Sequence, residues 1–161
     1  MTEMDKNNGN TPRGDLVARL AAIPGSAEAV ERGGSLWISA LQLDVEAMAR
    51  EMKALGYRLI TMTGRAREDG ETTIIYHYAQ RDRYVSFTTS TRGGAIPSVT
   101  PTLRMASWIE REIHDFFAVQ FIGHPNLIPL LRPPGLKEGF FRKAEPGSAR
   151  LDKQSARLDK Q

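Results

Sequence analysis

Residues 57–91, YRLITMTGRAREDGETTIIYHYAQRDRYVSFTTST, decide the fold. They contain three runs, Tyr57 to Arg65, Thr72 to Ala79 and Tyr84 to Thr91, rich in Thr, Ile, Tyr, Val and Phe. Side chains that branch at Cβ or carry a ring pack best on a pleated surface, so each run is predicted to be a strand. Asp69-Gly70 lies between the first two runs and supplies the backbone freedom of a tight hairpin turn. Arg81-Asp82 separates the second from the third. The simplest arrangement is an antiparallel meander.

Upstream, Met1 to Gly14 is polar and bears glycine and asparagine, a composition expected to be disordered. Asp15 is a candidate cap for a short helix with Leu16, Leu20 and Ile23 on one side, stopped by Pro24. Gly33-Gly34 leads into a short strand, Leu36 to Ser39. Asp44 caps a second helix in which Val45, Met48, Met52 and Leu55 recur at helical spacing, closed by Gly56. Downstream, a loop with Gly93-Gly94, Pro97 and Pro101 feeds a charged helix from Thr102 to Val119. The order α-β-α-β-β-β-α describes an α+β domain over residues 15–124, a small, mostly antiparallel sheet with helices on one face. An extended arm follows over 125–147, broken by Pro129, Pro133, Pro134, Gly135 and Gly139. Its Leu127, Ile128, Leu130, Leu131, Phe140 and Phe141 need an apolar surface to lie on. The tail repeats SARLDKQ at 148–154 and 155–161; one leucine per copy cannot make a coiled coil, and disorder is expected.

A chain of 161 residues can bury a core as one domain with tails. It contains no cysteine, and so supplies no thiolate for an iron–sulfur cluster, a zinc-thiolate site or a nickel–iron centre, and no disulfide. No apolar run approaches the roughly 20 residues of a membrane span, and MTEMDKNNGN lacks the apolar core of a signal peptide. The expectation is a soluble, cytoplasmic protein. The net charge is +3, but residues 148–161 carry +2 and residues 132–143 another +3, leaving −2 on the remainder. The folded core is therefore not a basic, nucleic-acid-like surface, and the basic segment suits an acidic partner.

The chemistry-bearing stretch is Ser107 to Leu131, SWIEREIHDFFAVQFIGHPNLIPLL. At about 100° per residue, Met105, Ala106, Trp108, Ile109, Ile113, Phe116 and Phe117 share one broad face. Glu112 falls inside that arc, Glu110 and Asp115 lie at its edges, and Arg111 and His114 point away. A carboxylate on an apolar stripe is costly to bury without a donor. Glu112 is thus the residue without a simple surface explanation, with Arg104, a strand backbone or another protein chain as its partner, while Arg111 and Asp115 read as surface residues. His77, His114 and His124 have neither helix spacing nor an HExxH pattern for a metal, and a structural role is preferred. His124, before Pro125, is placed to cap carbonyls or hold a carboxylate. Neither glycine pair forms a phosphate loop, and no GxSxG occurs. Tyr76, Tyr78, Tyr84 and Phe87 raise the alternative of an RNA-binding α+β module that stacks bases on its sheet, without an RNP1-type pattern. A small acid–base enzyme using Glu112 and His124 would require a pocket holding both.

Glu110-Arg111-Glu112-Ile113-His114-Asp115-Phe116-Phe117, six residues, then His124-Pro125, resembles the signature of the hydrophilic 30-kilodalton subunit of respiratory NADH:quinone oxidoreductase, complex I. Homologous subunits occur in membrane-bound, energy-converting nickel–iron hydrogenases. The resemblance covers roughly residues 15–143. His114 stands where the signature has an aromatic residue, Ala118 where it has glycine, and Ile128 where it has Lys, Arg or Pro. The short C-terminal extension is more similar to the hydrogenase-type subunit. The resemblance implies a non-catalytic structural subunit of the peripheral arm, without cofactor, metal or catalytic residue of its own. It also implies that the chain clamps the large hydrogenase-like subunit beside an iron–sulfur small subunit, without inserting into the membrane. Glu110, Arg111, Glu112, Asp115, Phe116, Phe117, Gly123, His124 and Pro125 are the signature and expected interface residues, with iron–sulfur, nickel–iron and quinone sites in the partner subunits.

Overall fold

A computed structural model of the chain describes residues 13–133 and 135–142. The expectations for the first twelve residues and for the duplicated tail fall outside them. The meander forms as three long strands, β3 (Arg58–Ala66), β4 (Thr72–Gln80) and β5 (Arg83–Ser90), numbered after a hairpin of β1 (Val30–Arg32) and β2 (Ser35–Ser39). The five-stranded sheet has the order β1-β2-β5-β4-β3. All its pairings are antiparallel except β2 with β5, which runs Ser35↔Tyr84 to Ser39↔Thr88. β1 has no counterpart among the predicted elements. Its residues Val30, Glu31 and Arg32 are all exposed, so no apolar alternation marks it.

Alternate residues Leu36 and Ile38, Ile74, Tyr76 and Tyr78, and Val85 and Phe87, with Leu59 and Met62 on either side of a register shift in β3, share one buried cluster with residues of three helices. These are α1 (Arg13–Ala21), α2 (Val45–Ala54) and α3 (Ala106–Phe117). α1 begins before Asp15, which sits in its first turn rather than capping it. α2 starts as expected: the Asp44 carboxylate accepts the Ala47 N–H at 2.8 Å. Gly56, at φ +76, turns the chain out of α2 in a conformation that a Cβ disfavours. Arg19 of α1 pairs with Glu51 of α2 at 2.5 Å. The other sheet face has Trp37, Ser86, His77 and Thr61 in one row; His77 Nδ1 lies 3.0 Å from Ser86 Oγ, and Trp37 meets its ring edge-on.

The RNA platform is not formed. Tyr76, Tyr78 and Phe87 point into the core, no more than 1% exposed, while Tyr84 is 52% exposed. The strand period puts the first three on the helix-covered face, where no base can stack.

Beyond the main sheet, β6 (Ala95–Pro97) pairs in parallel with β7 (Gln120–Ile122), and α3 is the crossover between them. α3 starts at Ala106, four residues later than predicted. Residues 98–105 form turns instead, with the Leu103 N–H on Val99 O and the Ala106 N–H on Leu103 O. α3 packs on β3, where Gly64 allows close approach. A Cβ there would lie 2.8 Å from the Phe117 ring. Among the described residues no helix is long and apolar enough to cross a membrane.

Candidate functional site

The β6–α3–β7 unit brings the turn after β6 over the first turns of α3, and there it meets Glu110. Its side chain is fully buried. Oε2 accepts the Ser98 hydroxyl at 2.5 Å and the Thr100 hydroxyl at 2.7 Å, and Oε1 accepts the Val99 N–H at 2.7 Å. Burial pushes the carboxyl pKa up; these donors and His124 pull it back only in part, leaving it raised. β7 ends at Ile122, and Gly123, at φ +82, reverses the chain so that the buried His124 ring faces Glu110, Nε2 3.8 Å from Oε2. His124 Nδ1 accepts the Asn126 N–H at 3.0 Å, just past the exposed Pro125.

One turn further along α3, Asp115 is also fully buried. Its Oδ2 accepts three successive backbone N–H groups of the arm, from Leu130 (2.9 Å), Leu131 (2.8 Å) and Arg132 (3.2 Å). Such a run of amides is a concave anion site, here filled by the chain's own carboxylate. Arg132 Nε stands 3.5 Å from Oδ1, and Glu138 lies 3.4 Å from Arg132 Nη1. Burial raises the Asp115 pKa, but the three amides and Arg132 outweigh it and hold it below the usual aspartate value. Arg111 donates to the carbonyls of Ile128 and Pro129, both at 2.9 Å. The last carbonyls of α3, which a helix leaves without internal partners, are also taken: His114 O by Ala118 N–H, Asp115 O by Gly139 N–H at 2.8 Å, and Phe116 O by Phe141 N–H at 2.9 Å.

The arm is therefore a folded strap laid along α3. Its end is closed by aromatic contacts, with Phe116 4.9 Å from Phe141 and 5.3 Å from Phe140, and by Arg142, which donates to Gly70 O of the β3–β4 hairpin.

These contacts correct the helical-wheel reading. Glu110 occupies the apolar core-facing side and is satisfied by donors within the chain, whereas Glu112 is half-buried. Asp115 is buried and not a surface residue. Arg111 binds the strap, and His114 is buried with Nδ1 2.9 Å from the Val119 carbonyl. The apolar arc leans on Trp108 and Phe116, yet Trp108 is 68% exposed and Phe116 stacks on the strap. α3 has two apolar sides, one toward the core and one toward the strap, and an averaged arc falls between them. An acid–base pair of Glu112 and His124 is not formed, since the carboxylate at His124 is Glu110. A groove of about 580 Å³, bounded by Leu41, Leu43, Ile96 and Ile122, is lined by none of the signature residues. Among the described residues no three potential ligands group as a metal site.

Helix and strap both expose large apolar side chains: Trp108 on α3, and Ile128, Leu131, Leu136, Phe140 and Phe141 on the strap. Such a set around one helix and its strap is large for a free surface.

The family described as the respiratory-chain NADH dehydrogenase 30 Kd subunit matches residues 39–150. The chain is 30% identical over 119 residues to the C/D subunit of NADH-quinone oxidoreductase from Pseudomonas fluorescens, covering 71% of this chain and 20% of that protein. It is 33% identical over 81 residues to the C/D subunit from Methylococcus capsulatus, 48% of this chain and 14% of that one. The chain thus spans a fifth or less of the length of these relatives. In fold it resembles a chain of the membrane-bound sulfane sulfur reductase, an archaeal respiratory membrane complex (TM-score 0.67, 23% identity, 93% of this chain and 95% of that one). It also resembles a trypsin-resistant fragment of Nqo5 (TM-score 0.56, 22% identity, 71% and 98%). With the family match spanning most of the chain and the signature residues Glu110, Asp115 and His124 buried where α3 meets the strap, the chain belongs to the family of the respiratory-chain NADH dehydrogenase 30 Kd subunit.

Proposed function

We propose that the chain is a non-catalytic structural subunit of the peripheral arm of a complex-I-like oxidoreductase, of the energy-converting hydrogenase type. It clamps the large hydrogenase-like subunit beside the iron–sulfur small subunit, on the cytoplasmic side and outside the lipid. The observation that carries this reading is the exposure of Trp108 on α3 and of Ile128, Leu131, Phe140 and Phe141 on a strap whose backbone α3 already holds. A surface built this way binds by burying aromatic and aliphatic anchors, with charge at the rim setting register. The fold likeness to a chain of an archaeal respiratory membrane complex supports a place as a subunit of such a complex. On this reading the redox centres and any quinone site lie in the partner subunits.

The test is affinity purification of the tagged chain from its native membranes, with the recovered proteins identified by mass spectrometry. The large and iron–sulfur small subunits are expected, together with hydrogenase rather than NADH-binding subunits. The Trp108→Glu/Leu131→Glu pair should abolish their recovery while circular dichroism stays unchanged. Undiminished recovery with that pair would overturn the assignment of the docking face.

A further inference from the structure

His124 stands where the folded domain becomes the strap, and its two ring nitrogens serve different elements. Nδ1 accepts the Asn126 N–H on the strap side, while Nε2 faces Glu110 on the domain side. Accepting at Nδ1 requires a lone pair there, so the neutral ring carries its proton on Nε2, aimed at the carboxylate. A second proton, taken from solvent, can bind only at Nδ1. It would meet the Asn126 N–H donor to donor.

We propose that His124 is a protonation-controlled latch on the root of the strap: the neutral ring fastens Asn126, and the imidazolium releases it. The device is local. From α3 the facing charged group is Glu110. From β4, Tyr76 and Tyr78 face the same carboxylate, and burial followed by that negative charge pushes both phenols up, so they stay neutral. The turn after β6 presents the hydroxyls of Ser98 and Thr100 and the amide of Val99. On the strap, Asn126 is uncharged, and the second fastening, Asp115 with Leu130 to Arg132, has its own carboxylate and shares no proton with the latch. Acid thus frees the Asn126 amide, while Leu127 stays packed on the core, Ile128 and Pro129 stay on Arg111, and 130–132 stay closed.

The experiment is amide hydrogen exchange by NMR on the full chain, corrected for intrinsic rates, between about pH 8 and about pH 5, where imidazoles titrate. The Asn126 amide should lose about tenfold of its protection across that window, the size expected for one released hydrogen bond. Leu131 should keep its protection. His124→Asn, whose carboxamide oxygen takes the place of Nδ1, should hold Asn126 protected with a flat pH profile. His124→Gln, which reaches only the Nε2 position, should leave Asn126 unprotected throughout. The proposal is overturned if Asn126 protection in the wild-type chain is flat across that window, if wild type and His124→Asn share one pH profile, or if Asn126 and Leu131 open together.

Discussion

Removing the Asp115 carboxylate should release the strap without unfolding the domain. Oδ2 holds three amides at 2.8 to 3.2 Å, and each hydrogen bond to a charged acceptor contributes about 1.5–3 kcal/mol. They share one oxygen, and Leu131 is 57% exposed, so water replaces part of what is lost when the strap lifts. The net cost of Asp115→Ala is then about 3–4 kcal/mol, a factor of roughly 10² to 10³ in the open-to-closed ratio. Asp115→Asn keeps an oxygen in place but not its charge, and should cost about 2 kcal/mol, roughly 30-fold. Hydrogen exchange of Leu130, Leu131 and Arg132 in the isolated chain measures this directly, with β4 amides as the unaffected reference. The pH dependence has a definite sign. The folded pKa of Asp115 lies below its unfolded value, so its contribution is complete above the ordinary aspartate range and is lost as pH falls through the folded pKa. If these amides are unprotected in the wild-type chain, or if Asp115→Ala changes their protection by less than about threefold, the strap is not held as described.

Two further substitutions test the packing around α3. Ala118 ends α3 at φ +54, where the family signature has glycine; relieving a Cβ in that conformation is worth about 1 kcal/mol. Ala118→Gly should therefore raise the thermal midpoint by about 3–6 °C, and an unchanged or lower midpoint would count against strain at this cap. Gly64→Ala places a methyl group 2.8 Å from the Phe117 ring and should cost about 1–3 kcal/mol in denaturant unfolding. Adding Phe117→Leu makes room, so the double variant should be less destabilised than the sum of the two single ones; strict additivity would refute the contact.

Much of the scaffold is legible in local chemistry. The three strands follow from β-branched and aromatic runs around Asp69-Gly70, and α2 from the Asp44 cap and the closing Gly56, since each depends on neighbours within a few residues. The signature is legible too, and with it the family. β6 and β7 are not, because three-residue strands carry too few side chains to show a period. The same holds for the parallel placement of β2 beside β5, which rests on a pairing across the whole meander.

The sequence by itself determined that a charged helix with aromatic flanks precedes a Gly-His-Pro break and an apolar, proline-broken segment, and that one carboxylate on that helix must be buried at a cost. Only the tertiary structure decided which carboxylate and against what. Glu110 is chosen because Ser98, Val99 and Thr100 deliver three donors from across the β6–α3–β7 crossover, and Asp115 because the strap returns three amides from 15 to 17 residues away. A buried charge is stabilised by donors, and donors brought together by chain reversal leave no trace in the periodicity of the helix that carries the charge.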